Sequence, residues 1–100
     1  MKYNKLVRDK IPEIIRAKGQ EPVTHIAGEE EYWAKLKEKL LEEVDELQKD
    51  ENTEEIADVL EVLEAIAVFK GFDWSEIKKI QEKKASERGK FEKRIILEEA

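Results

Sequence analysis

The sequence has no cysteine and a single histidine, His25. The first absence excludes disulfides and thiolate zinc sites, and the second excludes a metal site built from several imidazoles. No apolar run approaches the ~18 residues of a membrane-spanning helix. The opening residues Met1-Lys2-Tyr3-Asn4-Lys5 lead into charge rather than into the apolar stretch of a secretion signal. These features place the expected location in the cytoplasm. Proline occurs twice and glycine four times; proline restricts the backbone and glycine frees it, so both mark element boundaries.

Charge is what the chain has in abundance: 44% of its residues, with a net charge of −6. That balance argues against a general nucleic-acid binder, which carries a basic face. An acidic protein that handles phosphates needs cations to do so. At 100 residues the chain is expected to be one domain, residues 1–100. A lone domain of this size buries only about two thirds of its unfolded surface, so association would help it.

Punctuation and periodicity predict an all-α helical bundle built on an antiparallel helix hairpin. A short helix is expected over 11–18, with Pro12 in its first turn and Gly19 as its stop. Residues 22–27, Pro-Val-Thr-His-Ile-Ala, are β-prone. Gly28 opens a long helix over 29–49, in which Trp33, Leu36, Leu40, Val44 and Leu47 form one stripe. After a tight connection at residues 50–52, a helix over 53–70 begins with a capping-box pattern, Asn52 and Glu55, and ends at Gly71. This helix is apolar nearly all round, and such a helix is buried on most sides. The chain has too few other helices to cover it, which predicts a homodimer whose core includes it. Asp73 and Glu76 open a last long helix over 74–87, broken by Gly89. Arg94-Ile95-Ile96-Leu97 reads as a short strand that could pair with residues 23–26 in a small two-stranded β ribbon.

Two pairs of acids stand out. Glu43 and Glu46 are three apart on the second helix, and Glu55 and Asp58 are three apart on the third. Residues three apart share a helix face. In an antiparallel hairpin, residues equally far from the turn sit at equal height, which sets Glu46 opposite Glu55 and Glu43 opposite Asp58. Glu42 falls nearly opposite the apolar stripe and Asp45 on its other side, so Glu43 and Glu46 are the better placed acids. Like charges so gathered raise one another's pKa or require a cation. Oxygen ligands alone suit a hard divalent ion, Mg²⁺ or alternatively Mn²⁺, and not zinc. Paired glutamates on helices are common solvated features, but Asp58 on a nearly all-apolar helix is costly to bury unpaired.

The pattern Glu42-Glu43-x-x-Glu46 followed by Glu55-x-x-Asp58 resembles the signature of the all-α NTP pyrophosphohydrolases, which include the MazG-like enzymes and phosphoribosyl-ATP pyrophosphohydrolase. Eight residues separate Glu46 from Glu55, a short connection for that superfamily. The flanks are similar to those of short single-domain MazG-like proteins: Lys5-Leu-Val-Arg8-Asp9-Lys10-Ile-Pro12 on one side and Lys84-Ala-Ser-Glu87-Arg88-Gly89-Lys-Phe91 on the other. The resemblance implies Mg²⁺ held by Glu43, Glu46, Glu55 and Asp58, and attack of water at the α-phosphorus of a nucleoside triphosphate with release of pyrophosphate. It further implies that Glu43 or Glu46 accepts the proton of that water.

A triphosphate also needs positive charge, supplied by charge-assisted hydrogen bonds. Arg8, Lys84 and Arg88 are the expected phosphate contacts; Lys84 and Arg88 are four apart and share a face. Lysines on a helix more commonly solvate it or pair with glutamate. Trp33, Trp74, Phe72 and Phe91 could stack on a base, although such residues are more often core or interface, and His25 is expected to be structural or exposed. Two other readings remain open: an acidic helical interaction module that needs no metal, and the same fold acting on phosphoribosyl-ATP. Base and sugar preference have no signal in the sequence.

Overall fold

Chain punctuation and hydrogen-bonding chemistry account for where each helix begins and ends. The computed structural model describes residues 3–100, and among these four helices form: α1 (Ile11–Ala17), α2 (Glu29–Asp50), α3 (Thr53–Lys70) and α4 (Trp74–Arg88). Pro12 occupies the first turn of α1, where a missing N–H leaves no bond unmade. The turn from α2 to α3 takes two residues. Glu51 adopts the left-handed conformation (φ 38°, ψ 50°) and donates its N–H to the Leu47 carbonyl at 3.0 Å. Asn52 is extended and its Oδ1 accepts the Glu55 N–H at 3.0 Å, satisfying a donor the helix cannot. Asp73 caps α4 through the N–H and hydroxyl of Ser75, at 2.9 and 2.8 Å. These bonds hold the Asp73 carboxyl below its ordinary pKa.

The hairpin of α2 and α3 is the packed heart of the molecule. Leu36, from the predicted stripe, is 1% exposed, and Val62 and Ala67 of α3 are buried. Trp33 stacks on Phe69 with ring centroids 6.0 Å apart, and Tyr32 meets the same ring edge-on at 5.1 Å. Full burial of Leu36 contributes roughly 1.5–3 kcal/mol, but few side chains share that status. Neither α1 nor α4 packs along the hairpin to a comparable extent.

The molecule is long, 56 × 31 × 24 Å, with a radius of gyration of 17.8 Å; a compact domain of this length has about 13 Å. It exposes 9341 Å², against about 5,900 Å² for a compact protein of its mass.

The two-stranded ribbon does not form among the described residues. Residues 22–27 and 94–97 are irregular, with Val23 99% and Ile95 78% exposed. An isolated pair of strands is marginal without a surface to pack on, and neither segment has one. Arg94 is also left-handed (φ 56°) and bonds back to the Phe91 carbonyl, so a turn replaces the first residue of the expected strand.

Candidate functional site

Folding α2 onto α3 brings the four predicted carboxylates to one side of the hairpin, near its tip. One oxygen each from Glu43, Glu55 and Asp58 lies within 4.8 Å of the others. Glu46 joins a second group, with Asp50 and Glu55, at the same spacing. Glu55 belongs to both, so the cluster is drawn out along the hairpin rather than closed into one ring of four. The expected heights agree with these groupings: Glu43 meets Asp58, and Glu46 meets Glu55. Asp50 is the acid that sequence reasoning missed. Its position suggests the connection between helices, but α2 continues through it, which places it four residues and one turn beyond Glu46.

The electrostatics carry the imprint of crowding. The half-buried position of Glu55, followed by the charges of Asp58, Asp50, Glu46 and Glu43, pushes its carboxyl above the ordinary value. Cations sit at the margin. Arg8 reaches Asp58 at 2.8 Å and Glu61 at 3.5 Å, and Lys39 reaches Glu43 at 3.3 Å and Glu42 at 3.6 Å. Lys5 pairs with Glu42 at 3.0 Å. Burial alone would raise the Glu42 carboxyl, but Lys5 and Lys39 outweigh it and hold it below its ordinary value. The pairs made by Lys5 and Arg8 are half-exposed and contribute little to stability; their consequence is positional, whereas Lys39 and Glu43 form the more sheltered pair. Lys5 and Arg8, with a hydrogen bond from Lys35 Nζ to the Asn4 carbonyl at 2.7 Å, tie the N-terminal segment down across the hairpin.

Beneath that segment lies a cavity of about 470 Å³. Glu43 and Asp58 form part of its wall, and Leu36, Val62 and Ala65 line it away from the acids. Arg8 is thus the expected phosphate contact that the fold brings to the carboxylates. Lys84 and Arg88 are on α4, outside this cavity. Trp33 is engaged with Phe69 and lies under Lys70 Nζ, 4.1 Å from its ring centroid, which makes it a packing residue. Trp74 is half-buried, whereas Phe72 and Phe91 are exposed. His25 is exposed and its Nε2 lies 3.0 Å from Glu31.

The donor set fits a hard divalent ion. Such ions take carboxylate oxygens at about 2.0–2.6 Å, so two ligands on opposite sides of one ion lie about 4–5 Å apart, and oxygens within 4.8 Å of one another are compatible with that spread.

Among known proteins, no family model matches the chain and no solved structure matches it. A protein of Mycolicibacterium smegmatis that carries the name "Uncharacterized protein" is 60% identical over 42 residues, which is 42% of this chain and 43% of that protein. The match therefore spans less than half of that relative's length.

Proposed function

We propose that the protein is a metal-dependent nucleotide pyrophosphohydrolase, acting as the all-α NTP pyrophosphohydrolases it resembles. The observation that carries this reading is the convergence of Glu43, Glu55 and Asp58 across the hairpin. In this reading Glu43, Glu46, Glu55 and Asp58 hold Mg²⁺ or Mn²⁺, with Asp50 beside them. The bound ion supplies charge neutralisation on phosphate oxygens and acidity to a water. The chain's own residues do the rest. Glu43 or Glu46 accepts the proton of a water that adds to the α-phosphorus, the bond to the bridging oxygen breaks, and pyrophosphate leaves. Arg8, already beside Asp58, turns its remaining N–H donors to the phosphates.

The partner in this reading is a second copy of the chain. Some 3,400 Å² of surface beyond that of a compact protein of this mass, together with exposed Ile56, Leu60 and Leu63 on α3, supports it. Lys84 and Arg88, carried away from the cluster on α4, then meet substrate across that interface. No helix among the described residues is long and apolar enough to cross a membrane.

The test is an assay of pyrophosphate, separately from phosphate, over a panel of ribo- and deoxynucleoside triphosphates and phosphoribosyl-ATP, with Mg²⁺ or with chelator. The expected result is metal-dependent pyrophosphate release that falls about 100-fold or more in both Asp58→Ala and the isosteric Asp58→Asn. Absence of release across the panel, together with failure to bind Mn²⁺, would overturn the proposal and leave an acidic interaction module.

A further inference from the structure

The cavity under the N-terminal segment extends the carboxylate cluster in one direction only. From Glu43 its wall steps through Lys39 and Leu36 to Tyr32, away from the hairpin tip, and from Asp58 it steps through Glu61 and Val62 to Ala65. At 1.5 Å per residue these walls run about 10–16 Å along the helices. The chemistry changes along the way, from Glu43 and Asp58 at one end, past Lys39 and an Arg8-paired Glu61, to Leu36, Ala65 and the Tyr32 ring at the other. Phosphate has no use for the apolar end. A planar heterocycle with its sugar has the right length and polarity for it, and 470 Å³ lies within the usual range for small-molecule sites, about 300–1,000 Å³.

The roof is a built wall and not a loose end of chain. Leu6 to Lys10 line one side of this half-open cavity, and the pairs of Lys5 with Glu42 and Arg8 with Asp58 fasten this segment to both helices. Asp9 and Lys10 stand on the same roof and offer an acceptor and a donor to the edge of a ring. Tyr32 is held by its edge-on contact with Phe69, so its ring is a fixed surface.

We infer that this cavity receives the nucleoside half of the substrate, with Tyr32 and Ala65 setting which base fits and the segment Leu6–Lys10 closing over it. The inference rests on the nucleotide reading above and adds to it the residues that determine specificity. Acids near the tip take the polyphosphate, and the apolar reach of the hairpin takes the base.

The test separates the two readings by measuring binding rather than turnover. Wild type, Ala65→Phe, which fills the inner end, and Tyr32→Ala, which enlarges it, are titrated with AMP, GMP, CMP and UMP, with inorganic tripolyphosphate, and with Mn²⁺. Wild type is expected to bind at least one of the four monophosphates, and Ala65→Phe to weaken that binding at least about tenfold. Tyr32→Ala is expected to change the order of preference among the four. Both variants keep wild-type affinity for Mn²⁺ and tripolyphosphate, which also establishes that they fold. Monophosphate binding unchanged in Ala65→Phe, or absent from a wild type that binds Mn²⁺, would overturn the inference while leaving the metal site standing.

Discussion

Glu55 shows most clearly what the cluster costs the fold. Its carboxyl is pushed up by its half-buried place and then by four acidic neighbours. A group whose pKa is raised in the folded state holds its proton more tightly there than in the unfolded chain, so ionising it subtracts stability. The loss is complete above the raised value and vanishes as the pH falls below the ordinary carboxyl value of 4.5. Glu55→Gln removes the charge and keeps the shape. In chelator at pH 7 it is expected to melt at a higher temperature than wild type, with the gap closing near pH 4 in scanning calorimetry. Added Mg²⁺ should then raise the melting temperature of wild type more than that of the variant, because an ion that binds the folded chain stabilises it by mass action. A variant that melts lower than wild type at pH 7 would contradict this account of the cluster.

The hairpin turn matters at the level of the element, because it sets which carboxylates meet. Shifting α3 by one residue against α2 would turn Asp58 about 100° away from Glu43. Asn52 fixes where α3 begins by accepting the Glu55 N–H. Asn52→Ala is expected to cost about 1 kcal/mol in urea unfolding, and Asn52→Gly only a few tenths. Equal losses in the two variants would show that the side-chain cap contributes nothing. The helices themselves are legible in the sequence. Asn52, Gly71 and Asp73 mark ends that the structure reproduces, and the predicted third helix matches α3 (Thr53–Lys70) residue for residue. The predicted end of α2 falls one residue short. There Glu51, a residue with no preference for the left-handed region, supplies the stop, and no glycine marks it.

For the whole molecule the deciding quantity is surface. A chain of 100 residues in which, among the described residues, only Leu36, Val62 and Ala67 are buried has little to set against the entropy of ordering it. Ile56, Leu60 and Leu63 recur at four and three residues along α3 and lie about a third of a turn round from Val62, exposed together. Exposed apolar stripes of this kind mark association surfaces. Sedimentation equilibrium is expected to give twice the 11.7 kDa chain mass, and Leu60→Glu to weaken association by roughly 2 kcal/mol, about thirtyfold. A wild type that sediments as a monomer at all concentrations would refute the dimer.

Local rules determined much of this protein before any tertiary contact formed. Capping residues, glycine stops and a stripe of apolar residues specify helices, because each acts within a turn or two of itself. A short connection between two helices then sets residues at equal height, and for that reason the pairing of Glu43 with Asp58 and Glu46 with Glu55 is readable from spacing alone. Only the folded chain decided the rest. It joined Asp50 to the cluster, carried Arg8 across some fifty positions in sequence to Asp58, roofed a cavity with residues 6–10, and left α4 and the β-prone segments uncovered. Those outcomes depend on which surfaces find a partner in space, and a one-dimensional pattern records the need for a partner without recording where it lies.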